Sequence, residues 1–321
     1  MIKLQRIIIT SPPVNFVVRK SKQIVLPGFQ GLPLYDVSRF FFQQMRQVGL
    51  NERAAAISFN FLMAIPPLCI FLFTLLSVIP GSKNFRGELL SLASQVTPNE
   101  DTYKLIRTVI EDFFKPGSGF FSFGLLLAIY FSSNAMLGIM RTFDKSILHI
   151  EVEKRNFLQL RWEAIKLTSL IILLIIATVI ILFTQGALFR QIRSWLNMER
   201  DSLNWLVFSL RLLITCLLVF YAIAFIYRYA PSVQKKWRLY SPGSILATVL
   251  IIAFTYLFSY WVNNFASYNK VYGSIGSILI LMLLVFVNSL VLLIGFELNV
   301  SINSLKSIAR RREKKEEQQG S

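Results

Sequence analysis

Six long apolar runs fill most of this 321-residue chain: Ala54–Pro80, Phe120–Met140, Trp162–Gln185, Trp205–Tyr229, Gly243–Phe265 and Ser274–Ile302. Each is roughly 20–29 residues long, enough to cross a hydrocarbon core of about 30 Å at about 1.5 Å rise per residue. A soluble protein of this size shows shorter apolar elements with polar faces, not unbroken stretches such as Leu170–Phe183. The fold class expected is all-α: a polytopic membrane protein with six transmembrane helices.

Charge placement orients the expected bundle. The net charge of +17 would, taken alone, suggest nucleic-acid binding. The Lys and Arg residues are not spread evenly, however. Eight lie up to Arg53, 5 between the second and third runs, 4 from Arg228 to the fifth run, and 6 in the tail, against 9 in the three intervening loops. That split of 23 to 9 is a positive-inside signal, with both termini in the cytoplasm and no signal peptide before the first span. The basicity then reports topology and contact with anionic headgroups at the inner leaflet, and no nucleic-acid partner is expected. Charged residues make up only 16% of the chain and mean hydropathy is +0.55, in line with membrane burial.

Three segments follow from this. Residues 1–53 form a basic cytoplasmic segment broken by prolines, in which Leu34–Val48 reads as an amphipathic helix. That helix is expected on the inner leaflet or against the cytoplasmic ends of the bundle. Residues 54–302 form the six-helix domain, and 303–321 a charged cytoplasmic tail. In the longest outer loop, Thr97-Pro98-Asn99-Glu100 reads as a helix start leading into a surface helix over Asp101–Phe114.

Groups for chemistry are scarce. The only histidine, His149, lies in an inner loop beside Glu151 and Glu153, and no metal-ligand, nucleotide-binding or nucleophile motif accompanies it. Cys69 and Cys216 both lie in apolar runs and read as packing residues. No catalytic residue, metal or cofactor is expected. Suspicion falls instead on polar groups at membrane depth, which are costly to place there.

Asn60, Asn134, Lys166, Asn288, Glu297 and Asn299 share the cytoplasmic halves of the first, second, third and sixth runs. They are expected around one polar cavity, with Glu297 as the coupling or gating carboxylate and Lys166, Arg141 or Arg53 as its candidate partner. The alternative is that Lys166 and Arg211 snorkel to their interfaces and Glu297 forms a structural ion pair. Arg211 lies about 9 Å from the outer end of the fourth run, with Asn263 and Asn264 as expected neighbours. Pro66 and Pro67 interrupt the first run and are the expected hinge. Gly273, Gly276 and Gly295 mark a small-residue face for tight helix packing.

These residues also carry a resemblance. Ala54-Ala55-Ala56-Ile57-Ser58-Phe59 followed by Pro66 resembles the first-span pattern of the YihY/BrkB membrane-protein family. Tyr272-Gly273-Ser274 through Gly295-Phe296-Glu297-Leu298-Asn299 resembles its closing signature. Arg228-Tyr229-Ala230-Pro231 and Ser241-Pro242-Gly243 resemble its fourth-span ending and fifth-span entry. The resemblance covers residues 35–305, and Asn60 stands where it implies an apolar residue. It implies six helices in the bacterial cytoplasmic membrane with both termini inside, and a loose association with transport or envelope functions. The family has also carried a ribonuclease label, which the shortage of catalytic groups argues against. The expected function is movement of a small solute or lipid precursor, in a chain that can form oligomers. The alternatives are a non-transporting scaffold or envelope-biogenesis factor and, behind it, a ribonuclease.

Overall fold

Within the described residues, each of the six runs is helical. A computed structural model describes residues 12–78, 120–147, 152–196, 200–265 and 274–319, with isolated positions between them. All regular structure among the described residues is helical: α1 Pro12–Ser21, α2 Leu34–Gln47, α3 Leu50–Val78, α4 Phe120–Asp144, α5 Phe157–Leu196, α6 Arg200–Tyr229, α7 Pro242–Phe265 and α8 Ser274–Gln319. Among the described residues, three stretches are long and apolar enough to cross a membrane, by length and composition: Leu212–Tyr229, Pro242–Val262 and Ile278–Gln318.

The six long helices form a closed ring, each packing on the next and α8 returning to α3. One apolar cluster fills its centre. It draws Ala54 and Ile57 from the start of α3, and Ala164 and Leu167 from the start of α5. From the far ends of α4 and α6 come Met140, Phe143 and Tyr227, and from midway along α8, where its apolar run closes, come Leu293 and Phe296. Starts of odd helices meeting ends of even ones means that successive helices run in opposite directions. Phe143 stacks on Phe296 at 3.6 Å between ring centroids, and Trp237 covers the same ring at 5.4 Å. The outward faces are apolar as well: Leu173, Leu213, Val249, Leu257 and Ile278 are all more than half exposed. A core on the inside and bare leucines on the outside is the arrangement that lipid, not water, permits.

Local sequence explains the boundaries. Gly49, at φ +63, ends α2 in the left-handed conformation that glycine adopts without penalty, and α3 starts at the next residue. At the entry to α7, Ser241 Oγ accepts from Ser244 N–H at 3.2 Å while Ser244 Oγ accepts from Ser241 N–H at 3.1 Å. Pro242 occupies the first helical position, where no N–H is needed. α8 continues unbroken to Gln319, because the tail's Lys, Arg, Glu and Gln are good helix formers.

One end of the ring gathers the soluble segments. Val152 and Val233 bridge the α4–α5 and α6–α7 loops, and Arg155 donates to the carbonyls of Ala230 and Pro231. Asp144 accepts from the Ser232 N–H and hydroxyl at 2.9 and 2.8 Å. α2 lies against α8 at this end, with Val37 and Phe29 packed on Ile302. Of the two placements open to the amphipathic helix, it takes the one against the bundle. The expected outer-loop helix falls mostly outside the described residues, but Tyr103, Lys104, Arg107, Thr108 and Glu111 are helical. His149 and Gly273 also lie outside them, as do the side chains of Cys69, Arg211, Asn263 and Asn264.

Candidate functional site

At the gathered end, Glu297 is fully buried on α8, although an ionised carboxylate out of water is costly unless paired and hydrogen-bonded. Arg53, four residues into α3 and 7% exposed, donates Nη1 to Glu297 Oε1 at 2.6 Å. Its Nη2 donates to the Thr142 carbonyl of α4 at 3.0 Å. Ser146, just past α4, donates its hydroxyl to both Glu297 oxygens at 2.6 Å. One ion pair thus ties together the first, second and last long helices of the ring. Of the three cations weighed for Glu297, the structure selects Arg53.

The remaining polar residues divide among separate local arrangements. Asn134 accepts from Arg161 Nη1 at 2.8 Å, while Arg161 Nη2 donates to the Tyr130 carbonyl and the guanidinium lies 3.6 Å from the Tyr130 ring centroid. Arg161 is buried on the second turn of α5 and locks that helix to α4. Lys166 is half exposed, paired with Glu163 at 3.0 Å and lying over Trp162. Asn60 donates to the Ala56 carbonyl at 2.7 Å and lies over Gly138 of α4, where an added Cβ would come within 2.8 Å of it. Asn288 donates to the Leu284 carbonyl at 2.9 Å. Ser58 and Ser289 join α3 to α8 at 3.2 Å.

Asn299 works on another element. Its Oδ1 accepts from the Gly243 N–H at 2.9 Å and its Nδ2 donates to Ser241 Oγ at 2.8 Å, capping α7 from α8. Beside it the two helices touch backbone to backbone. A Cβ on Gly243 would collide with the Gly295 carbonyl, and one on Gly295 would meet Tyr227 Oη at 2.5 Å. Gly295 is therefore a packing residue, and buried Gly276 lies on the same helix. Pro66 and Pro67 sit within α3, which continues through both.

Above Arg53 lies a hollow of about 470 Å³ lined by Gln44, Gln47, Val48, Gly49, Glu52, Arg53 and Lys145. It opens at the junction of α2, α3 and the α4–α5 loop, so the guanidinium has Glu297 on one side and this hollow on the other. Sequence reading missed Ser146, Thr142 and Arg161. Ser and Thr carry no distinguishing signal in a loop or at a helix end. Arg161 precedes the third apolar run and so reads as loop, whereas α5 begins at Phe157. Among the described residues, no three His, Cys, Asp or Glu side chains come together in a way that would hold a metal ion.

A family model described as "Virulence factor BrkB" matches residues 41–321. Relatives include a protein of Bacillus subtilis (strain 168) called "Putative ribonuclease-like protein YfkH", 26% identical over 80% of this chain and 92% of its own. A "UPF0761 membrane protein" of Tolumonas auensis is 26% identical over 83% of this chain and 84% of its own. A further "UPF0761 membrane protein" of Haemophilus influenzae is 22% identical over 85% of this chain and 97% of its own. No solved structure matches.

Proposed function

The chain belongs to the virulence factor BrkB family of membrane proteins, and within it we propose a transporter-like role in the cytoplasmic membrane. In this reading all six long helices span the bilayer, and the end bearing α2 and the C-terminal part of α8 faces the cytoplasm. The excess of Lys and Arg in the segments gathered there supports that orientation. The substrate is a small solute or a lipid or envelope precursor.

The observation that carries the reading is the Arg53–Glu297 pair, buried at 2.6 Å, with Arg53 also lining an open hollow. A packed apolar pair would hold α3 to α8 at less desolvation cost, so an ionic contact at this position suits a joint that must open. Arg53 and Glu297 form the latch, Ser146 and Thr142 steady its two halves, and Pro66 and Pro67 supply the bend in α3. Asn134 with Arg161, and Asn299 with Ser241, hold the neighbouring helices fixed around it. Flux of fluorescent solutes and lipids through proteoliposomes, comparing the parent chain with Glu297→Gln, tests this. Altered flux in the variant is expected, and absence of any flux in the parent chain would refute transport.

A second reading has its own support. The ring centre at this end is filled by the Phe143–Phe296 stack and its neighbours, the packing of a static scaffold. A stable partner recovered with a chain that conducts nothing would favour that role. Nuclease activity has the weaker footing, because the acids are scattered and serve in structural pairs: Glu163 with Lys166, Asp144 with Ser232, Glu297 with Arg53.

A further inference from the structure

The hollow above Arg53 holds charges of both signs that are not matched to each other. Glu52 and Lys145 line the same space, both exposed, and neither makes an ion pair among the described residues. One further polar group there is buried and unsatisfied, and it sits beside Gln44, which is only 8% exposed and lines the same hollow. Arg53 spends both terminal nitrogens on Glu297 and Thr142, while its Nε–H has no partner. Buried polar groups are ordinarily paired, and leaving them open is costly unless something else fills the role. The volume, about 470 Å³, lies in the range of small-molecule sites.

We propose that this hollow binds a small zwitterion, one oxyanion and one ammonium on the same molecule, of the kind presented by phosphoethanolamine. The assignment deepens the transport reading above and rests on it for its purpose. Because Glu297 already matches the charge of Arg53, the free charges are one cation, Lys145, and one anion, Glu52. A simple anion would be repelled by Glu52, and a simple cation by Lys145. A molecule carrying both charges bridges the two. Its oxyanion takes the Lys145 ammonium together with the N–H groups of Gln44 and Gln47, and its ammonium lies on the Glu52 carboxylate. Gly49 gives Glu52 its room, since a Cβ there would lie 3.0 Å from Glu52 Oε2. An oxyanion that also reached the Arg53 Nε–H edge would compete with Glu297 for that guanidinium, coupling occupancy to the latch.

The same chemistry reaches the hollow either as a free solute or as a phosphatidylethanolamine headgroup, and the test separates the two. The full chain is placed in phosphatidylglycerol nanodiscs, and thermal unfolding is followed while O-phosphoethanolamine, inorganic phosphate or ethanolamine is titrated in. A parallel sample uses nanodiscs containing phosphatidylethanolamine with nothing added. Stabilisation is expected from O-phosphoethanolamine if the free solute is the source, and from the phosphatidylethanolamine discs alone if the headgroup is. In either case Glu52→Gln and Lys145→Gln each weaken the response about tenfold or more, as expected for losing a charge-assisted contact. Both side chains are exposed, so the unliganded unfolding temperatures should not move. An equal response to phosphate alone, a response unchanged in both variants, or no stabilisation in any arm overturns the proposal. Stabilisation without flux in the parent chain would leave the site standing and remove transport. Flux that survives Glu52→Gln, with no stabilisation by any probe, would do the reverse.

Discussion

Replacing Arg53 with Met strands the most deeply buried carboxylate of the ring. Glu297 is 0% exposed and holds three hydrogen-bond contacts, one from Arg53 Nη1 and two shared by the Ser146 hydroxyl. With Arg53 removed, the carboxylate keeps only Ser146, and uncompensated burial of one partner costs about 3–5 kcal/mol. Glu297→Gln is milder. It keeps an oxygen to accept from Arg53 and forfeits the charge, which costs about 1.5–3 kcal/mol. The double variant Arg53→Met/Glu297→Leu leaves no stranded charge and should cost less than Arg53→Met alone, because apolar replacement of a whole buried pair is close to neutral. Thermal unfolding of the purified full chain in neutral detergent reads these differences. At about 2 °C per kcal/mol for a large chain, Arg53→Met should lower the midpoint by roughly 6–10 °C. A double variant as unstable as the sum of Arg53→Met and Glu297→Leu measured singly would show that the two groups do not interact, and the latch would fall with them.

The helix crossing and its cap give sharper local tests. Gly243→Ala drives a methyl into the Gly295 carbonyl and should cost at least about 1–3 kcal/mol, whereas Gly87→Ala, helical and with nothing within 4 Å, should not lower the unfolding midpoint. Asn299→Leu leaves the buried Gly243 N–H without its acceptor, a loss of about 1–3 kcal/mol, and Asn299→Asp should recover part of it by restoring an acceptor. Lys166→Ala should change stability by less than about 0.5 kcal/mol, because its pair with Glu163 is solvent-screened. A larger loss, read in the same unfolding assay, would assign Lys166 a buried role.

Apolar periodicity located all six long helices, because a run too long and too oily for a soluble core has one stable conformation in lipid. It also marked Leu34–Val48, where Val37 faces α8 as the stripe required. What it could not supply were pairings across the ring. Glu297 had three cations at compatible depth, and depth is a single coordinate; only the rotation of α3 about its axis selects Arg53. Asn299 carries the same ambiguity. A polar residue near a helix end reads equally as cavity lining or as a cap for a neighbour, and the free N–H of Gly243 decides. The start of α5 at Phe157 and the extension of α8 through Lys306 and Arg312 were hidden for another reason: helices continue past their apolar run wherever propensity allows, so hydropathy marks the run and not the helix.

Closure of the ring by its last member has a consequence for biogenesis. Arg53 leaves the ribosome early and Glu297 some 244 residues later, so the guanidinium must wait through the synthesis of four further long helices before its counter-ion arrives. Until then the nascent protein carries an unneutralised cation on an open seam between its first and fifth long helices. Any chain stopped short of α8 keeps that charge uncompensated.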